Sequence, residues 1–415
     1  MKVGLDAALN DANIATTQVS NQRQLAISVS ALSDGVSRTA PLNLCLILDH
    51  SGSMKGTPLE TVKQAANAII DRLSEGDRIS IIAFDHEAKV LVSNQCLENP
   101  APIKQAIDKL AASGGTAIDE GMKLGITELA KGKEETISQA FLLTDGENEH
   151  GDNDRCLKLA ELAASYNLTL NVLGFGDHWN QDIAEKVADI AGGTLTYIEK
   201  PEDAVGEFSR LFDRIQMVGL TNAYLLMSLA PKVRLAELKP VAQVMPDTIE
   251  LPVIEESGQF IVRLGDLMVD APRVVLANLY VGQLAEGTTT VARLQIRYEN
   301  PTNPGEDLFS DTIPVDATVV ANAQPQPNDQ VQQHVLALAK YRQTQIAETK
   351  LQSGDRAGAA TMLQHAAKTA LQMGDRNAAT VLQSSATQLQ AGQELSESDR
   401  KKTRIASKTV LQGPS

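Results

Sequence analysis

At 415 residues the chain is long enough for two or three hydrophobic cores, taking roughly 100–200 residues per domain. It carries 52 Asp plus Glu against 37 Lys plus Arg, and the resulting formal charge of −15 repels phosphate backbones and anionic lipid, so no nucleic-acid partner is expected. An apolar fraction of 43% suits a folded chain. With aromatics at only 3% its cores must be built from Ala, Val, Leu and Ile. No window reaches the roughly 18–20 uncharged apolar residues of a membrane helix, so no membrane insertion is expected either.

The amino terminus reaches Asp6 and Asp11 without a long apolar stretch and does not read as a secretory signal. Three cysteines, Cys45, Cys96 and Cys156, form no CxxC and no short pairing. Neither a disulfide framework nor a structural zinc site is indicated, and a reducing, cytoplasmic location is expected.

Residues 1–40 are polar, with one alternating segment at 24–32 that reads as a half-buried strand. From 41 the character changes. Short, nearly continuous apolar runs at 42–48, 79–84, 140–143 and 168–173 alternate with helical patterns through Leu59, Val62, Ala66 and Ile69, through Ile103, Ala106 and Ile107, and through Ile183, Val187 and Ile190. Strands buried on both faces and separated by helices predict a doubly wound α/β domain with a mostly parallel sheet over 41–217, closed by a helix at 202–217. Between 218 and 322 the period drops to two. Segments at 223–229, 259–264, 274–281 and 289–298 predict a β-sandwich. The strand at 24–32 has no partner in an α/β domain and is assigned to this sandwich, which makes the α/β domain an insertion.

Residues 323–328 are a Gln/Pro linker. Beyond it, 329–392 is rich in Ala, Leu and Gln at helical spacing. The hexad Leu351-Gln352-Ser353-Gly354-Asp355-Arg356 returns as Leu371-Gln372-Met373-Gly374-Asp375-Arg376. Each Gly-Asp reads as a helix stop followed by a helix start, giving a three-helix bundle. Residues 393–415, with Lys401, Lys402, Arg404 and Lys408, read as a flexible basic tail. Thr403 and Thr409 in that tail, each followed two residues later by Ile or Leu, suggest a phosphothreonine-reading partner.

Chemistry concentrates where the first apolar run ends. Asp49-His50-Ser51-Gly52-Ser53 sets a carboxylate and two hydroxyls at alternate positions just past the strand, where open α/β sheets build their sites. Ser113-Gly114-Gly115-Thr116 and Thr144-Asp145-Gly146 bring further oxygens to the same edge. Three hydroxyls and two carboxylates suit a hard divalent cation. Mg²⁺ fits best, with Mn²⁺ or Ca²⁺ as substitutes, and one position is left for an anionic oxygen from elsewhere. His50 lies between the candidate ligands and is expected to face away. Glu147, Glu149, His150, Asp152 and Asp154 read as a solvated loop and helix start.

This pattern resembles the von Willebrand factor A domain and the related integrin inserted domain, whose metal-ion-dependent adhesion site reads Asp-x-Ser-x-Ser, then Thr, then Asp. Here those positions are Asp49, Ser51 and Ser53, Thr116, and Asp145, all five present, within a match covering about 42–216. The resemblance implies a six-stranded sheet of order 3-2-1-4-5-6. It also implies direct metal bonds from Ser51, Ser53 and Thr116, water-mediated ones from Asp49 and Asp145, and a protein partner whose Asp or Glu carboxylate completes the shell. The flanking β-domain resembles that of bacterial von Willebrand A proteins, some related to inter-α-trypsin inhibitor heavy chains.

Enzyme readings find less support. There is no Gly-x-Ser-x-Gly elbow and no Walker A loop, and Ser51 stands where a haloacid-dehalogenase phosphatase needs a second Asp. A Mg²⁺-dependent hydrolase would need a base to activate water, and nothing in the sequence places His86, His178 or Asp177 near Asp49. The expectation is a non-enzymatic interaction module. The alternatives are a hydrolase using the same cation, or a scaffold whose helical bundle or tail binds the partner.

Overall fold

The structure, a computed structural model, describes residues 2–32 and 40–408. Three strands come first: β1 (Lys2–Leu9), β2 (Asn13–Ala15) and β3 (Ser20–Leu32). They belong to the second of two compact units, which comprises Lys2–Leu32, Ala223–Tyr298 and Asp307–Ser415. The first unit occupies the chain between them together with Glu299–Glu306.

The first unit is the doubly wound domain. Its strands are β4 (Leu42–Asp49), β5 (Arg78–Phe84), β6 (Ala88–Cys96), β7 (Ile137–Thr144), β8 (Thr169–Phe175) and β9 (Leu195–Ile198). Its helices are α1 (Thr57–Ile70), α2 (Pro100–Asp108), α3 (Ile118–Lys131), α4 (Asn153–Ser165), α5 (Gln181–Ile190) and α6 (Ala204–Gln216). The sheet order is β6-β5-β4-β7-β8-β9, parallel except at the β5–β6 pair. Numbered within the domain, that is 3-2-1-4-5-6, as the resemblance implies.

Strand β4 shows why its sequence is apolar throughout. Leu42, Leu44, Leu46 and Leu48 face one layer, where they pack with residues of α1, α2 and α6, among them Val62, Ile107 and Phe212. Cys45 and Ile47 face the other, with Met122 of α3, Ala160 of α4 and Val187 of α5. Successive side chains on a strand point to opposite faces, and here both faces are covered. Helix α3 comes so close to the sheet that a Cβ added at Gly125 would lie 2.4 Å from Ile47 Cδ1.

Ten further strands follow, most of their residues in the second unit: β10 (Val218–Leu229), β11 (Val233–Leu235), β12 (Val241–Met245), β13 (Ile249–Glu250), β14 (Ile254–Glu256), β15 (Gln259–Met268), β16 (Arg273–Gly282), β17 (Gly287–Asn300), β18 (Asn303–Phe309) and β19 (Ile313–Val320). They form two sheets. One runs β1-β3-β16-β12-β13, with β11 also on β16. The other runs β14-β15-β10-β17-β19-β2, with β18 also on β17. Strand β3 pairs with β16 from Val29–Arg273 to Ser20–Gly282, so the amino-terminal segment is built into this β-domain.

Helices α7 (Asp329–Gln352), α8 (Arg356–Gln372), α9 (Arg376–Gln390) and α10 (Glu397–Lys408) complete the unit. The repeated hexads make their turns alike. Gly354 and Gly374 take φ of 83° and 79°, and Asp355 and Asp375 accept hydrogen bonds from Gly358 N and Ala378 N at 2.8 and 2.9 Å. Left-handed glycine ends one helix and the aspartate caps the next. Val331, Leu338 and Tyr341 of α7 pack on Val244 of β12 and on Val274 and Leu276 of β16. That helix covers the face of β16 that carries Val274 and Leu276, which is why those positions are apolar.

The carboxyl-terminal expectation needs correction. The bundle has four helices, not three, and residues 397–408 are a docked helix, not a flexible tail. Lys401, Thr403, Ser407 and Lys408 are buried. Lys340 Nζ donates to the Ala406 carbonyl at 2.9 Å and pairs with Asp375, Arg404 pairs with Glu348 at 3.2 Å, and Lys408 O accepts from Thr248 N at 2.8 Å. Long basic side chains bury their aliphatic stems when partners take their heads. Thr403 shares a buried hydrogen bond with Ser385 at 2.8 Å and is not presented to a reader. Thr409 lies outside the described residues.

Candidate metal centre

Strand β4 ends at Asp49 in the middle of the parallel sheet, with β5 and β7 on either side, so the chain leaves the sheet there toward its carboxyl edge. Asp49 is fully buried. Its Oδ1 accepts from Ser51 N at 2.8 Å and its Oδ2 from Thr144 Oγ1 at 2.7 Å. The next turn, Gly52–Met54, is a single 3-10 turn that places Ser51 Oγ 3.0 Å from Ser53 Oγ. Ser53 Oγ donates to Asp145 Oδ1 at 2.7 Å. Asp49, Ser51, Ser53 and Asp145 are therefore joined in one network of hydroxyls and carboxylates.

Thr116 arrives from a different direction, on the loop between α2 and α3. It is buried, and its Oγ1 faces Gly146, where an added Cβ would lie 3.1 Å away. Gly52 N donates to Gly114 O at 3.0 Å and stitches this loop to the serine turn. All five residues named from sequence thus converge at one sheet edge.

The electrostatics of the edge are unrelieved. Burial pushes Asp49 up to about 6, against the pull of the Thr144 and Ser51 hydrogen bonds, and the like charge of Asp145 adds to the rise. Burial raises Asp145 as well, opposed by Ser53 and by the charge of His178. Two desolvated carboxylates among hydroxyls make a donor set that fits a hard divalent cation, which would supply the missing positive charge. Thiols and imidazoles take no part in the network: Cys45 is buried, with its thiol pushed up to about 12, chiefly by burial.

The remaining residues singled out from sequence fall around the edge. His50 turns away, its Nδ1 3.1 Å from Ala111 O and 3.9 Å from Asp85 Oδ2. Asp152 caps α4, accepting from Asp154 N and Arg155 N, while Glu147, Glu149 and His150 are exposed. Among the described residues no group of three or more His, Cys, Asp or Glu side chains is placed to hold a metal. Asp177 accepts from Tyr197, and His86 pairs with Asp85 at 3.2 Å. Sequence reasoning named Thr144 only as a neighbour of Asp145, without its bond to Asp49, and missed Asp85. Each ends or follows a buried apolar strand at the same edge as Asp49, and that position was the available signal.

A six-stranded, mostly parallel sheet of this order, bearing these residues at its carboxyl edge, defines a von Willebrand factor type A domain. The family model of that name matches residues 43–210, and a second, the Sll0103-like C-terminal alpha-helical domain, matches 329–413. The chain is 58% identical over its whole length to the uncharacterized protein sll0103 of Synechocystis, covering 99% of it. It belongs to that family of von Willebrand A proteins with an Sll0103-like helical domain. It is also 28% identical to bovine inter-alpha-trypsin inhibitor heavy chain H4 over 59% of this chain, but spans only 27% of that relative's length. A solved von Willebrand factor type A protein from Catenulispora acidiphila shares the fold across 99% of this chain and 97% of its own, with TM-score 0.82 and 17% identity.

Proposed function

We propose that the chain is a non-enzymatic interaction module that grips an acidic protein ligand through a divalent cation, Mg²⁺, at the β4 edge. Ser51, Ser53 and Thr116 would hold the ion by their hydroxyls, with Asp49 and Asp145 supplying charge and anchoring its waters. The ion when bound supplies a Lewis-acidic position open to a partner's Asp or Glu carboxylate. The observation that carries this reading is the continuous Asp49–Ser51–Ser53–Asp145 network with Thr116 beside it, two of its carboxyls raised by burial.

The chain's own residues divide the work. Asp49 is held rigid by Ser51 N and Thr144 Oγ1, one on each oxygen, so its direction is fixed before any ion arrives. Asp145 is only half-buried and faces the serines, the side from which a ligand would come. Among the described residues no helix is long and apolar enough to cross a membrane.

Calorimetry should show one Mg²⁺ or Mn²⁺ site, lost in Asp49→Ala and weakened in Thr116→Ala. Capture from the native cell should then recover a protein with Mg²⁺ and lose it with chelator. Wild-type affinity in Asp49→Ala would refute the site. Hydrolysis of phosphomonoesters, nucleotides or phosphodiesters that disappears in Asp145→Ala would replace the binder by a hydrolase.

A further inference from the structure

Thr116 is the outlier of the candidate ligand set. Asp49 ends β4, Ser51 and Ser53 follow it within four residues, and Asp145 directly follows the adjacent strand β7. Thr116 lies on a connection between helices, and its loop has to be held in place by something else.

Main-chain bonds from Ser113 N to His50 O, Gly52 N to Gly114 O and His150 N to Thr116 O each hold one point of the loop, and one residue holds it at two. Asp85 follows β5 directly and is buried. Its Oδ2 accepts from Ser113 Oγ at 3.0 Å, on the amino side of Gly114-Gly115-Thr116. Its main-chain carbonyl accepts from Ala117 N at 2.7 Å, on the carboxyl side. The loop is thus clasped at both ends by a single residue. Asp85 is itself immobilised: Oδ1 accepts from Glu87 N at 2.9 Å, Asp85 N donates to Glu87 O at 2.9 Å, and His86 Nδ1 lies 3.2 Å from Oδ1. The loop backbone rests directly on this pair, since a Cβ at Gly114 would fall 2.3 Å from His86 Nδ1 and 3.1 Å from the Asp85 carboxyl. Burial opposes the charged form of Asp85, but the Glu87 N–H, the Ser113 hydroxyl and the two imidazoles outweigh it and hold the carboxyl below the usual range. A charged acceptor makes the stronger hydrogen bond to the loop.

We propose that Asp85 is the positioning residue for Thr116: it sets the loop 113–117 so that the threonine hydroxyl completes the cation site without itself touching the ion. The inference rests on the metal reading above. Outer-sphere partners of this kind typically change metal affinity by about 10–100-fold.

The test is Mg²⁺ titration calorimetry on the full chain for wild type, Asp85→Ala, Asp85→Asn, Ser113→Ala, Thr116→Ala and the Asp85→Ala/Thr116→Ala double variant. Each is first checked for folding by thermal denaturation in chelator. Asp85→Ala should weaken Mg²⁺ by about tenfold or more. Asp85→Asn keeps an oxygen acceptor and should recover most of the affinity, and Ser113→Ala should lose part of it. The double variant should bind no more weakly than Thr116→Ala alone, because groups acting through one another are non-additive. If Asp85→Ala does not fold, Asp85→Asn against Ser113→Ala decides the matter, and equal wild-type affinity in both overturns the proposal. So does a double variant whose losses multiply. A wild-type chain that binds no Mg²⁺ overturns the metal reading and this inference with it. Normal wild type, weakened Thr116→Ala and unaffected Asp85→Ala overturn the inference alone.

Discussion

Asp49 is the residue whose setting departs furthest from that of an exposed aspartate. In the unfolded chain its carboxyl titrates near about 3.9, and in the folded chain burial lifts it to about 6. Between those values the folded state keeps a proton that the unfolded state has released. Without a cation, stability therefore falls as pH rises through this window, by on the order of 3 kcal/mol for a shift of this size. A bound cation removes the penalty because it favours the ionised form. Thermal denaturation in chelator should show a midpoint that drops from about pH 4 to about pH 6 in wild type and stays flatter in Asp49→Asn. Saturating Mg²⁺ should restore the wild-type midpoint at the upper end and do little at the lower. A midpoint that tracks pH equally in both proteins would contradict this account. Of the candidate ligands, Asp49, Ser51 and Ser53 were legible because two-residue spacing past a buried strand is a local signal, while Thr116 and Asp145 stood out only as oxygens beside glycines in two other loops. The supports given by Thr144 and Asp85 were not, since each acts on a residue that only the fold brings near it.

At the scale of elements, what could be read followed burial. Strands β4, β5, β7 and β8 are covered on both faces and appear in the sequence as apolar runs. The edge strand β6 is largely exposed and β9 has only four residues, so neither carries such a pattern. Helix α10 reads as tail because it docks through the stems of Lys401 and Lys408 and through Thr403 and Ser407, with little aliphatic surface. Helix α3 offers a sharp test of packing against propensity. Replacing Gly125 by Ala should stabilise an isolated helix by about 1 kcal/mol. In the fold the new methyl would meet Ile47 Cδ1 at 2.4 Å and Cγ1 at 2.8 Å, and Ile47 is itself fully buried. Overpacking of this kind costs about 1–3 kcal/mol, so the clash wins and Gly125→Ala should destabilise. Pairing it with Ile47→Val removes Cδ1, and the double variant should be more stable than the sum of its two parts. Urea unfolding of the four proteins measures this, and simple additivity would refute it.

For the whole molecule, the chain folds as two compact units with separate cores, and the candidate cation site lies wholly in one of them. Two units need not unfold as a single cooperative transition, so a midpoint alone does not report which unit an ion stabilises. Hydrogen exchange resolves them. A ligand that binds only the folded form stabilises by about 2.7 kcal/mol at a hundred times its dissociation constant. Mg²⁺ at that concentration should therefore slow exchange from globally opening amides of β4 and β7 by about a hundredfold. Amides of α8 and α9, whose core is built from Ala359, Leu363, Ala366 and Leu382 in the other unit, should exchange at the same rate with and without the ion. Asp49→Ala should abolish the protection of β4 and β7 and leave α8 and α9 as they were. Equal Mg²⁺ protection in both units would mean that the units open together, and protection confined to α8 and α9 would place the ion elsewhere. The −15 charge makes the Asp49→Ala control necessary, because nonspecific screening by a divalent cation acts on every acidic surface and survives the loss of one buried carboxylate.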